Sequence, residues 1–211
     1  MKKQVAFYPN HPDNMHCVLA IFRSLFDYFF NEKLSWKQIE KKMGFVKGKG
    51  AWTFPAETEL AKRGMEVINI EPFDYKRFLK EGEDYLRKAY NQETANYYLH
   101  ETNINTKRNE IPEFIRVVKH QTRKATVDDI DNFLIDGYLV GAEINSRILN
   151  KKPGFSLHYV LIKRLDDDQY VINDPGLPPL ENRKVTRGEF MEALGREGTN
   201  GEVTAFRYPT P

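Results

Sequence analysis

Cys17 is the only cysteine among the 211 residues, and it stands in HPDNMHCVLAIF where a polar, turn-like run meets a long apolar one. A thiol in the first turn of a helix feels the positive end of the helix dipole, which favours its thiolate. A thiolate needs an imidazole beside it before it works as a nucleophile with an acid and base at hand. The chain offers one far away in sequence. LHYVLIKRL and QYVINDP are two strand-like runs flanking the acidic triplet at 166–168, which predicts an antiparallel hairpin. That hairpin sets His158 opposite a residue between 174 and 176, with Asp174 directly across from it or one diagonal neighbour away. A slip of one position brings Asn173 to the same face instead. Either side chain accepts the ring N–H of a histidine, and the aspartate also stabilises the imidazolium. Cys17, His158 and Asp174 are therefore the candidate catalytic set. Attack on an amide or ester carbonyl further requires donors for the oxyanion. The Cys17 amide N–H is one, because the first turn of a helix lacks acceptors for it. The plainer alternative leaves Cys17 as a small buried hydrophobe, His158 as a structural strand residue and Asp-Pro-Gly at 174–176 as a turn.

The elements that must position these groups are legible in outline. Asp13 or Asn14 is a candidate cap for a helix running to about Phe30, whose apolar residues cover most of its circumference and make it a buried, central helix. Ser35 and Gln38 form a capping box for a second helix ending near Gly44. GFVKGKGAWTFP reads as a glycine-rich loop, Glu57–Arg63 as a short helix closed by Gly64, and MEVINI as a strand. From Asp74 to about Gln121 the pattern is helical and rich in tyrosine. Thr126 and Asp129 box a further helix that stops at Gly137, and Thr186 and Glu189 box a last one. YLVGAEI, the two hairpin runs and EVTAFRY are strand-like. Helices come first and mostly antiparallel strands follow, which is the order of an α+β fold, with the cysteine-bearing helix packed on a C-terminal sheet.

Composition excludes several classes. Hydrophobic residues make up 40% and charged residues 29%, with a formal net charge of +2 spread along the chain. No concentrated basic face points to nucleic acid. The apolar stretch from Val18 to Phe30 is broken by Arg23 and Asp27 and is too short to span a membrane. MKKQVAFYPN lacks the apolar run of a signal peptide, so a cytoplasmic location is expected. One cysteine rules out an internal disulfide framework, and His11, Asp13 and His16 match no common metal-ligand spacing, so neither a metal nor a cofactor is expected.

HPDNMHCVLA, followed by LHYVLIKRLDDDQYVINDPG, resembles the C39-like branch of the papain-like cysteine peptidases. The resemblance is carried by a cysteine opening the central helix and by a His-Tyr-Val strand leading through a hairpin to Asp-Pro. It implies a papain-like α+β fold spanning residues 1–211 as one domain, with a helical insertion at about 72–125. It also implies Cys17 as nucleophile, His158 as base and Asp174 as the orienting carboxylate. The family places a glutamine six residues before the cysteine as oxyanion donor. Here that position is His11, so His11, or Asn10 or Asn14 in a rearranged loop, takes the role. Val18 and Leu19 also stand where the family commonly has small residues. Trp52 and Asn145 are candidates to line the substrate cleft. The expected activity is cleavage of an amide, in the first place a peptide bond, through an acyl-thioester. The alternatives are acyl transfer to a small-molecule amine, or an inactive peptide-binding module. The expected partner is thus a peptide or small-molecule amide, with neither nucleic acid nor membrane.

Overall fold

An almost unbroken apolar run makes α1 (Cys17–Phe30) a helix buried on most sides, with Leu19, Ile21, Phe22, Leu25 and Phe26 at most 1% exposed. It ends at Asn31, whose left-handed backbone (φ 58°) receives the last carbonyls. The structure is a computed structural model that describes residues 4–196 and 198–209. After α1 come α2 (Trp36–Met43), α3 (Phe54–Lys62) and β1 (Glu66–Glu71). The capping box of Ser35 and Gln38 opens α2, and Gly44 closes it at φ 58°.

The next stretch carries α4 (Tyr75–Glu81), α5 (Glu83–Ala89), α6 (Gln92–Asn96), a π-helical turn (Tyr97–Glu101), α7 (Ile104–Lys107), a 3-10 turn (Arg108–Glu110) and α8 (Ile111–Val117). Its large side chains, among them Phe73, Phe78, Tyr85, Tyr98 and Phe114, join the same core as α1, α2 and α3. The rest of the chain runs β2 (Lys119–Thr122), α9 (Val127–Ile135), β3 (Leu139–Asn145), α10 (Ser146–Leu149), β4 (Leu157–Asp166), β5 (Gln169–Asp174), β6 (Leu180–Thr186), α11 (Arg187–Leu194) and β7 (Val203–Arg207).

The strands form one seven-stranded sheet in the order β2-β1-β7-β3-β4-β5-β6, in which only β1 and β2 pair in parallel. The period-2 alternation of β4 divides the core between the two faces. Tyr159 and Leu161 point into the cluster built on α1, while Val160 and Ile162 point into a second cluster under α9 and α11. Phe22 anchors α1 to the sheet, stacked on Tyr159 at 6.3 Å between ring centroids and edge-on to Phe206 at 5.9 Å.

The hairpin forms as its acidic turn demands. Asp166 pairs with Gln169 around a two-residue turn in which Asp167 takes φ 51°. A bulge between Ile162 and Arg164 then shifts the register, so that Leu161 faces Asn173. Carried on, this places His158 level with Gly176 and makes Asp174 its diagonal neighbour.

Candidate functional site

α1 begins at Cys17, one turn later than a cap at Asp13 or Asn14 would have it. The N-cap is His16, which makes no side-chain cap bond. Asp13 instead closes the turn before the helix, accepting from the Met15 N–H at 3.0 Å and meeting His16 Nδ1 at 2.9 Å. Asn10 then ties the entry segment down. Its N–H donates to the Pro175 carbonyl at 2.8 Å, and its side-chain oxygen accepts from the His16 N–H at 2.9 Å. The residues just before Cys17 are thereby held against the residues just after Asp174.

His158 and Asp174 are both buried, and His158 Nε2 lies 2.8 Å from Asp174 Oδ1. The ring shares a cavity wall with Cys17, and hydrogen bonding and charge couple the two side chains. Burial opposes the charged imidazolium, but Asp174 and the Cys17 sulfur outweigh it and push His158 up to about 10. For Cys17 burial again opposes ionisation. The hydrogen bond and charge of His158 overcome it, with the N–H groups of Tyr159 and Val18, and hold the thiol below its ordinary range. Asp174 is likewise held low against its burial by His158, the Gly176 N–H and Arg183. Both shifts favour the thiolate–imidazolium form of the pair.

Asp174 is locked from two further directions. Gly176 N–H donates to Oδ1 at 3.0 Å, and Arg183 Nη1 donates to Oδ2 at 2.8 Å. Arg183 is itself held by the Asn150 side chain at 2.9 Å and by the Leu149 carbonyl. Gly176 has no room for a side chain, since a Cβ there would sit 2.9 Å from Asp174 Oδ1 and 3.5 Å from His158 Nε2.

The two oxyanion candidates part company. His11 does not line the cleft at Cys17, because its ring packs against His16 at 4.9 Å and edge-on against Trp36 at 5.7 Å. Asn14 does line it. Its oxygen accepts from Asn10 Nδ2 at 3.2 Å, which leaves its own amide N–H free of that bond. Trp52 lines the same cleft, its indole N–H fixed by Thr102 at 3.0 Å. Asn145 does not line the cavity at Cys17 but a groove beside it with Asn14 and Leu157, and its side chain is bonded to Arg147 N–H, Ser156 N–H and the Gly154 carbonyl. Arg183, Gly176, Tyr98 and Glu143 belong to the site or its cavity and were not singled out from sequence. Only Asp-Pro-Gly carried a local signal for one of them.

His11, Asp13 and His16 present ligand atoms within 4.8 Å of one another, the one such group among the described residues. Both nitrogens of His16 are taken, by Asp13 and by Glu40 at 2.9 Å each, so the group forms an imidazole clamped between carboxylates.

Among solved structures the chain is similar to the crystal structure of the peptidase domain of Streptococcus ComA, a bifunctional ABC transporter involved in a quorum-sensing pathway. The TM-score is 0.51 at 12% identity, over 98% of this chain and 100% of that one. The fold is papain-like, as in a C39 peptidase domain. No protein-family model matches the sequence, and no curated protein does. The papain-like architecture puts the helix bearing Cys17 against the strand bearing His158, and no helix among the described residues is long and apolar enough to cross a membrane.

Proposed function

We propose that the chain is a cysteine-dependent hydrolase that cleaves an amide, in the first place a peptide bond. The observation that carries this reading is the continuous contact from Asp174 through His158 to Cys17 at the mouth of a cavity. Likeness in fold to a peptidase domain supports the peptide as substrate. In this mechanism the Cys17 thiolate attacks the carbonyl carbon, and the Cys17 N–H and the Asn14 amide N–H hold the developing oxyanion. The His158 imidazolium gives its proton to the leaving amine as the C–N bond breaks. Neutral His158 then takes a proton from water, which attacks the acyl-thioester and frees the acid and the thiolate. Asp174, with Arg183 behind it, keeps the ring turned to the sulfur throughout.

The test is alkylation of Cys17 by iodoacetamide across pH, with hydrolysis of a fluorogenic peptide mixture alongside. Labelling that stays fast down to pH 6, and turnover that disappears in Cys17→Ala, are expected. A reactivity profile like that of a free thiol, with its midpoint at about 8.5, overturns the mechanism. Adding a primary amine to the peptide assay separates hydrolysis from acyl transfer, because a transferase yields a new amide and a hydrolase only the acid.

A further inference from the structure

Behind Cys17 and His158 opens a cavity of about 130 Å³. Cys17 and His158 line it together with Glu143 and Glu202. Trp52, Tyr97 and Tyr98 supply aromatic walls, and no lysine or arginine among the described residues lines the space. Glu202 is well partnered, accepting from Thr53 Oγ1 at 2.9 Å and Tyr159 Oη at 3.1 Å, with Thr204 Oγ1 3.1 Å away and shared with Glu57. Glu143 is not. It is half-buried, and one of its oxygens accepts from the Asn200 N–H at 2.5 Å. An independent feature also asks for a ligand: Tyr98 is 5% exposed, faces this cavity, and its hydroxyl has no hydrogen-bond partner among the described residues.

A neutral apolar group in this space would strand that hydroxyl and the open side of Glu143 away from water. An anionic group would meet Glu143, Glu202 and the Cys17 thiolate. A cation satisfies all of them and lies against ring faces that attract it. The volume is at least that of about four waters, room enough for a short alkylammonium. We propose that this cavity takes a protonated primary amine of the substrate, of the lysine side-chain class, seated on Glu143 and Tyr98 beside the bond that Cys17 attacks. The substrate role rests on the hydrolase reading above; the amine site does not.

Burial, then the charge of Glu202, pushes Glu143 up to about 8, against the N–H groups of Asn200 and Gly201. The groups facing it are Glu202, Cys17, Tyr97 and Tyr98, and among the described residues lining the cavity His158 is the one able to carry positive charge. A bound ammonium favours the carboxylate, so amine binding tightens as pH rises from 6 to 8.

The experiment is an NMR titration of the ¹⁵N-labelled full chain with n-butylammonium, and with n-butanol as the neutral match in size. The amine alone is expected to give saturable shifts at Ala51, Tyr98 and Glu143. Glu143→Gln weakens it by about tenfold or more, as loss of a charged hydrogen bond implies, and Tyr98→Phe by about threefold. Equal binding of the alcohol, or binding of neither, overturns the site. In a second arm, peptide chloromethyl ketones carrying lysine or norleucine compete for Cys17. Faster labelling by the lysine peptide supports the substrate role, and equal rates overturn it. Saturable amine binding with no labelling by either peptide overturns the hydrolase reading and leaves the amine site standing.

Discussion

At Gly176 a missing methyl group decides the geometry of the site. An alanine Cβ there would press to 2.9 Å from Asp174 Oδ1, an atom already fixed by His158. The carboxylate must then swing off the ring, and the ring loses the partner that keeps it charged and aimed. Displacements of this order cost catalysis far more than stability. Gly176→Ala is expected to lower kcat/KM on the order of 10- to 100-fold. The pH midpoint for alkylation of Cys17 is expected to move up, because a less stabilised imidazolium holds the thiolate less firmly. A variant with slow turnover but an unmoved alkylation profile would show that Gly176 acts some other way. Arg183 works on the same carboxylate from the other side. It escapes sequence reasoning because it lies in LENRKVT, a charged edge strand whose burial pattern is almost wholly exposed. The pairing of His158 with Asp174, in contrast, was legible because an acidic turn between two apolar runs leaves few registers open. The bulge at Lys163 chose the diagonal one.

Among the elements, α1 positions the sulfur and does so by burial. Its all-round apolar pattern was readable because the helix is covered by the sheet on one side and by α2 on another. Its first residue was not readable. Asp13, Asn14 and His16 all precede the apolar run, and the choice among them is made by distant partners: Pro175 through Asn10, and Glu40 through His16. β2 was hidden for a related reason, since its four residues KHQT are largely exposed and become a strand only by pairing with β1. Phe22 is fully buried between Tyr159 and Phe206, at the point where α1 meets the strand carrying His158. Phe22→Ala is expected to cost about 3–5 kcal/mol, transfer and cavity terms together. The midpoint of urea denaturation measures it. A loss below about 1 kcal/mol would mean that the helix resettles on the sheet without this ring.

Across the whole molecule, the buried acids make stability depend on pH with an unusual sign. Glu57, Glu71 and Glu202 lie at 0%, 0% and 4% exposure around the threonine and tyrosine hydroxyls between the sheet and α3. Burial, with the charge of Glu202 next, raises Glu57 and Glu71 well above the ordinary carboxylate value of 4.5, and burial raises Glu202 too. Glu143 stands at about 8. On these four groups the folded chain holds more protons than the unfolded one between pH 4.5 and about 8, while Cys17, held below its ordinary range, works in the opposite sense. The stability these four acids contribute falls as pH rises through that interval, by about 1.4 kcal/mol per pH unit for each extra proton bound. His158 acts in the same direction higher up. Raised from 6.5 to about 10, it contributes stability that is complete below 6.5 and lost as pH climbs through 10. The carboxylates held low by surface ion pairs, Glu66 and Asp129 at about 2, work the other way near pH 4.5, where their unfolded counterparts take up protons, and this opposing contribution fades as pH rises. Urea midpoints taken at pH 5, 6, 7 and 8 should decline steadily, and Glu143→Gln should flatten the slope between pH 6 and 8. A midpoint that stays level or climbs over that range would mean that the buried carboxyls ionise without cost, and the acidic heart of this core would need a cation that the chain itself does not supply.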